Sequence, residues 1–290
     1  MSDTPTIAVL GLGAMGHAFA ANLLASNMTV RLWNRTRARG EDLEAKGAAL
    51  CDTPSEAVKG AQVVLTMLPD METTRDVLLD SGRALEAMPE GATLLQMGTL
   101  GVEPTETLMN AVQQQRPDVV FIDAPVSGTK APAEKAQVLV LASGERDRSP
   151  HIDAVFGAIS KGARWLGEAG AGSRMKLVVN AWLIEMMQGI AESARLAERL
   201  GFSTDDFWSV LDGGPLAAPY VKAKLDMIKS GDFDAQMALE WGLKDARLAL
   251  QAAGDQPMPG LERIESLWTE ADENGLSKED IAGIYRWLEK

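Results

Sequence analysis

The sequence predicts an α/β chain in two parts: a doubly wound parallel sheet over residues 1–167, then an all-α domain over residues 168–290 opened by a long helix. Three observations predict it. Short apolar runs alternate with helix-like segments through the first half, as βαβ units around a parallel sheet require. Gly11, Gly13 and Gly16 stand between a strand-like run and a helix-like one. Past Gly170 the apolar spacing becomes that of amphipathic helices and stays so.

In order, TIAVLGLG from Thr6, MTVRLWN from Met28, AQVVLTMLP from Ala61, GATLLQMG from Gly91 and DVVFIDAPV from Asp118 read as strands. AFAANLLAS from Ala18 and RARGEDLEAKG from Arg37 read as helical connections. QVLVLASG from Gln137 is a further strand, and RWLG from Arg164 closes the sheet. The stretch GEAGAGSR from Gly167 leads into a periodic segment without Pro, a helix from Ser173 to Leu200 with Gly201 as its stop. Lys176, Asn180 and Glu185 interrupt its apolar run well short of membrane-crossing length. Segments from Asp205, Pro219, Met237 and Gly260 read as amphipathic helices parted by Gly and Asp turns.

A chain of 290 residues that is 46% hydrophobic can bury one large core or two ordinary ones. Its formal charge of -13 repels nucleic acid and anionic lipid, so neither is an expected partner, and an anionic ligand must meet a local basic spot. Cys51 is the single cysteine and His17 and His151 the two histidines, which leaves neither a disulfide framework nor a structural zinc site. No metal is expected, and the compartment expected is a reducing cytoplasm. The N-terminus lacks the basic and apolar regions of a signal peptide, so the mature chain is expected to begin near Met1.

The fingerprint Gly11-Leu12-Gly13-Ala14-Met15-Gly16 follows a strand and opens a helix, the context in which G-x-G-x-x-G marks a Rossmann-type dinucleotide site. The first glycine permits a tight turn, the second lets backbone approach a pyrophosphate, and the third packs helix on strand. Exposed amides at the helix N-terminus then hold the phosphates. Roughly twenty residues on, NAD-preferring sites place a carboxylate for the ribose 2′-hydroxyl. Here the chain reads Asn34-Arg35-Thr36-Arg37. A guanidinium and a hydroxyl bind a 2′-phosphate through charge-assisted hydrogen bonds, so NADPH is the expected cofactor. The alternative is that Arg35, Arg37 and Arg39 form a solvated helix start. Met67, Leu68 and Pro69 follow one strand and Thr99 another, at carboxyl ends where open α/β sheets bind ligands.

Lys176 and Asn180 are spaced to share a helix face, and both emerge from apolar sequence. Burial lowers a lysine's pKa towards neutrality, which suits an acid/base that protonates a developing alkoxide and takes the proton back in oxidation. The competing reading is a lysine snorkelling from a helix end, with Asn180 bonded to backbone. Ser127 and Gly128 follow a strand, where a hydroxyl beside exposed amides suits a substrate carboxylate, although Ser-Gly alone is a turn signal.

Together with the glycine fingerprint, DAPVSGTKAPAEKAQVLVLASG from Asp123 and GAGSRMKLVVN from Gly170 resemble the β-hydroxyacid dehydrogenase family over nearly the whole chain. WNRT from Trp33, PVSGTKAPAE from Pro125 and LKDARLAL from Leu243 are most similar to its glyoxylate and succinic semialdehyde reductase branch, and Thr129, in place of a second glycine, favours that branch. The resemblance implies NADPH-dependent reduction of a small aldehyde acid, with Lys176 as proton donor and catalytic roles for Asn180 and Ser127. It implies that Ser127, Gly128, Thr129, Asn180 and Asp245 lie at the substrate, and that Thr99 and Lys244 lie at the nicotinamide half of the cofactor. The bland reading of Lys244 and Asp245 is an exposed helical ion pair. Met237, where the branch carries Phe, and Trp241, where a polar residue is usual, reshape the substrate pocket, unless Trp182, Trp208 and Trp241 are plain core. Relatives that keep the fold as a binding module, and imine reductases that replace the lysine, are the competing functions. The hydrophobic surface of the long helix predicts a homodimer or tetramer through the helical domain.

Overall fold

A computed structural model describes residues 4–289; residues 1–3 and 290, and with them the expected start near Met1, lie outside the described residues. Contacts divide the chain into two compact units between Lys176 and Leu177.

The first unit is a sheet of β1 (Thr6–Leu10), β2 (Thr29–Trp33), β3 (Ala49–Leu50), β4 (Val63–Thr66), β5 (Thr93–Gln96), β6 (Val120–Asp123), β7 (Val126–Ser127), β8 (Val138–Gly144) and β9 (Ser160–Trp165). Its order is β3-β2-β1-β4-β5-β6-β8-β7, with β9 on β8. The strands from β3 to β6 pair in parallel, whereas β8 runs antiparallel to β6 and β7 and parallel to β9. Alternating side chains feed two cores, as a strand's two-residue period dictates: Ile7 and Val9 join one apolar cluster, Ala8 and Leu10 the other. Both sides are apolar, so the sheet is covered on both faces. The strand order reverses between β1 and β4, which makes the carboxyl ends of those two strands the switch point where such sheets bind ligands.

Helix starts follow local chemistry. Asp70 accepts from the Thr73 amide at 2.7 Å to cap Met71–Leu78, and Thr53 caps Pro54–Val58. The segment from Arg37 resolves into a 3-10 turn, Arg37–Gly40, and one helical turn, Glu41–Glu44, shorter than the single helix its pattern predicts.

The long helix runs Ala171–Arg199, and Gly201 at φ +84° follows it in the left-handed conformation a helix stop favours. The second unit adds helices Thr204–Leu211, Pro219–Ser230, Leu239–Ala253 and Pro259–Ala271 around fully buried Trp268, whose indole donates to Gln188 at 2.9 Å. Among the described residues its one β-type pairing is the isolated bridge of Ala238 and Asp280. No described helix is long and apolar enough to cross a membrane.

A buried ion pair organises this unit. The Lys224 ammonium lies 2.5 Å from an Asp280 carboxylate that also accepts the amides of Ala282, Gln236 and Met237 at 2.9, 2.9 and 3.1 Å. Both side chains are almost fully enclosed. Burial and the charge of Asp280 push the nearby Tyr220 hydroxyl far above the usual phenol range. Removing the cation leaves an uncompensated buried charge, so Lys224→Met should destabilise the protein by about 3–5 kcal/mol in denaturant unfolding. A loss under about 1 kcal/mol would show that the amides alone satisfy Asp280.

Candidate active site

The three fingerprint glycines have distinct constraints. Gly11 sits at φ +100°, and a Cβ there would come within 2.5 Å of the Met67 carbonyl oxygen. A Cβ on Gly16 would lie 2.0 Å from the Gly11 carbonyl oxygen. Both are glycine because the chain presses on itself. Gly13 meets no atom of this chain within 4 Å, so its missing side chain leaves open space over the helix start. That is the cradle a dinucleotide pyrophosphate needs, and the residues fit the cofactor. Ala14 is exposed and Met15 half-buried in the first turn of Ala14–Ala25. The Leu12 side chain is core, and its amide donates to the Asn34 side chain at 2.9 Å. The Asn34 amide group in turn donates to the Thr36 carbonyl at 2.9 Å, so Asn34 braces the loop that presents Arg35 and Thr36.

The arginines of that loop are not equivalent. Arg37 is engaged by Asp52 at 2.8 Å and Glu44 at 3.3 Å. Arg35 is exposed, and among the described residues it has no hydrogen bond or ion pair. The loops after β4 and β5 close on the fingerprint: Leu68 packs against Gly11, and a Cβ on Gly98 would lie 2.5 Å from the Leu68 carbonyl oxygen. A buried relay fixes the turn before Thr99, Thr66 donating to Gln96 at 2.6 Å and Gln96 to the Gly98 carbonyl at 2.7 Å. Met67 and Thr99 are half-buried; Pro69 is exposed.

Ser127 is half-buried and paired with Leu139 in the hairpin of β7 and β8. Gly128 follows at φ +136°, and Thr129 starts the turn Lys130–Glu134. Four residues before Ser127 lies a group that the pattern does not flag. Asp123, at the end of β6, has no solvent exposure, and its carboxylate accepts the Ser173 amide and hydroxyl, each at 2.7 Å. Burial pushes this carboxyl up from its usual range, and the hydrogen bonds of Ser173 partly pull it back. Nothing local in sequence signals it, because its partner lies fifty residues on. Lys176 is three residues past Ser173 and is half-buried, less enclosed than its apolar neighbours predict.

In the second unit, Asn180 is buried and donates to Asp245 at 2.5 Å. Asp245 is itself buried, with Lys244 3.1 Å from its other oxygen but outside hydrogen-bond alignment. The pair is therefore not the exposed one of the bland reading. Trp241, one turn before Asp245, is 41% exposed and Trp182 is 62% exposed, so neither is plain core, whereas Trp208 packs against the core. The Met237 backbone is pinned by Asp280. Among the described residues no three His, Cys, Asp or Glu side chains converge as a metal site requires.

Residues 6–167 match the family described as the NAD binding domain of 6-phosphogluconate dehydrogenase, and residues 170–288 that described as NAD-binding of NADP-dependent 3-hydroxyisobutyrate dehydrogenase. The chain belongs to the β-hydroxyacid dehydrogenase family. Its members are NAD(P)-dependent dehydrogenases and reductases of hydroxy acids, and so is this enzyme. It is 32% identical to glyoxylate/succinic semialdehyde reductase 1 of Arabidopsis thaliana, over 96% of each chain. It is 30% identical to the human cytokine-like nuclear factor N-PAC over 98% of its own length, which is 52% of that longer protein. The 3-hydroxyisobutyrate dehydrogenase of Mycobacterium tuberculosis, solved with L-serine, shares the fold at a TM-score of 0.87 and 24% identity, covering 99% of this chain and 100% of that one.

The glycine geometry of this β-hydroxyacid dehydrogenase separates folding from binding. Gly16→Ala should cost about 1–3 kcal/mol of stability through overpacking. Gly13→Ala should leave the unfolding midpoint unchanged and weaken binding of the reduced nicotinamide dinucleotide by about tenfold or more, read by nucleotide fluorescence titration. Equal losses of stability in both variants would refute the separation.

Proposed function

We propose that this enzyme uses NADPH to reduce a small aldehyde acid, of the glyoxylate or succinic semialdehyde type, to its hydroxy acid, with Lys176 as proton donor. The observation that carries the reading is the buried hydrogen bond of Asn180 to Asp245, four residues along the helix from Lys176. An ordinary helical core has no use for a buried amide and carboxylate whose second oxygen lacks an aligned donor. The bound cofactor supplies the hydride. Ser127, with the amides beside Gly128, holds the substrate carboxylate, and Asn180 orients the carbonyl oxygen. The Lys176 ammonium gives its proton to that oxygen as the carbonyl carbon is reduced, and the neutral amine takes the hydroxyl proton in the reverse direction. Asp245 holds Asn180 in place, Lys244 and Thr99 face the nicotinamide half, and Met237 and Trp241 wall the substrate with apolar surface.

The preference for NADPH rests on Arg35 and Thr36, with Asn34 bracing their loop and the backbone of residues 11–16 and 67–69 cradling the rest of the nucleotide. A second copy of the chain is part of the proposal, since Val178, Trp182, Leu196 and Leu200 on the long helix are exposed apolar side chains. A monodisperse monomer in light scattering would overturn it.

The test is oxidation of NADPH, followed at 340 nm, with glyoxylate, succinic semialdehyde and a cyclic imine, repeated with NADH. Turnover of an acid aldehyde with NADPH preferred is expected. Lys176→Ala should lower kcat by about 10²–10⁴-fold while NADPH still binds. Arg35→Ala should weaken NADPH by about tenfold or more and leave NADH unchanged. Turnover of the imine alone, or nucleotide binding without turnover of any of the three, would refute the assignment.

A further inference from the structure

The helix that carries Lys176 has an unusual start. Gly170, Ala171 and Gly172 offer no side chain to accept the first free amides, which in most helices fall to a local Ser, Thr, Asp or Asn. The acceptors come instead from the sheet. The Ser173 amide and hydroxyl both donate to Asp123 at 2.7 Å, and the Gly172 amide donates at 2.9 Å to the Ser143 hydroxyl, which itself donates to Asp123 at 3.1 Å. The Gly170 amide also donates to this carboxylate. Gly172 has no room for a side chain, since a Cβ would lie 2.2 Å from the Leu141 carbonyl oxygen, so the first turn lies flat against the strand ends.

The same carboxylate joins the segments that carry the chemistry. Ser127 is four residues past Asp123 and Lys176 three past Ser173. The Thr105 hydroxyl donates at 2.7 Å to the Gly101 carbonyl, two residues beyond Thr99, and lies 3.3 Å from the Ser173 hydroxyl. A buried charge is expensive unless saturated with donors, and here the donors are amides and hydroxyls of the helix start, where the helix dipole favours an anion. A local Ser cap is denied at position 170, where φ is +93° in the left-handed region that favours glycine, so the acceptor for the helix start is drawn from the end of β6 instead.

We propose that Asp123 is a positioning residue for the reaction: its carboxylate pins the first turn of Ala171–Arg199 and so sets where the Lys176 ammonium stands relative to Ser127. The proposal rests on the reading of Lys176 as proton donor. A displacement of about 1 Å costs a reaction about 10²-fold, so the effect belongs in kcat rather than in binding.

The test compares Asp123→Ala, Asp123→Asn and the milder Ser173→Ala, which keeps the buried carboxylate and removes one donor. Asp123→Ala should lower kcat by about 10²-fold, Asp123→Asn and Ser173→Ala by roughly three- to tenfold, with KM and the Kd for NADPH changed by about twofold or less. Amide hydrogen exchange in residues 171–176 should quicken while that of β1 and β4 stays as it was. If Asp123→Ala fails to fold, the other two variants carry the test. Losses that appear equally in kcat, KM and NADPH affinity would show Asp123 to be a plain structural cap and overturn the proposal. Wild-type kcat in these variants beside an inactive Lys176→Ala would overturn it alone; full turnover by Lys176→Ala would bring down the proton-donor reading with it.

Discussion

The first unit depends on one close approach. The turn at Gly11 brings its peptide against the carbonyl of Met67, and the first turn of the following helix in turn rests on the Gly11 carbonyl. Neither contact tolerates a Cβ, and each sets the other's position. Because β1 and β4 are neighbours at the point where strand order reverses, this contact places the ends of the two central strands and the helix N-terminus around one open space at Gly13. Gly98 extends the constraint to the end of β5 by the same means, its missing side chain letting the Leu68 carbonyl close in. The nucleotide cradle is thus a by-product of packing that the sheet enforces on itself, and only Gly13 is left to be explained by a ligand.

Two buried carboxylates perform parallel tasks elsewhere. Asp123 gathers the amides and hydroxyl of a helix start in the first unit, and Asp280 gathers three amides and the Lys224 ammonium in the second. Both have no exposure; Asp280 takes three backbone amides and an ammonium, Asp123 two backbone amides and two hydroxyls, and that saturation makes each a rigid node. Each stands near residues with proposed roles: Asp123 before Ser127 and Lys176, Asp280 on the backbone of Met237, ahead of the helix that carries Trp241, Lys244 and Asp245. Buried anions fit this purpose because backbone amides are the one donor every segment can offer, whatever its side chains.

The layout of the fold was legible in the sequence because it follows from period: the five main parallel strands, the long helix and the helical second half all repeat strongly enough to be seen. The two-residue strands β3 and β7 were not, since two residues have no period. The fingerprint was legible as a motif, yet the split among its glycines needed coordinates, because a clash between positions 11 and 67 is invisible in a linear string. Asp123 and Lys224 escaped for a related reason. Their partners lie fifty and fifty-six residues away, and an aspartate at a strand end or a lysine on an amphipathic helix reads as an exposed charge until the fold buries it. The alternative reading of the tryptophans as plain core holds for Trp208 alone, since Trp182 and Trp241 keep much of their surface exposed.

On the proposed reading, the arginine loop is where an acidic protein meets an anionic cofactor. With a formal charge of -13, the field of the chain opposes a phosphate at long range, and salt screens that field beyond about 8 Å at physiological ionic strength. What decides binding is therefore the charge within hydrogen-bond reach. Arg37 is balanced by Asp52 and Glu44 and offers little net attraction. Arg35 faces solvent with no such partner among the described residues, on a loop that Asn34 has already braced from both sides. Under the proposed assignment its guanidinium gives up no ion pair to meet a phosphate and the loop is not ordered again on binding, so the cost set against the charge-assisted bond is small.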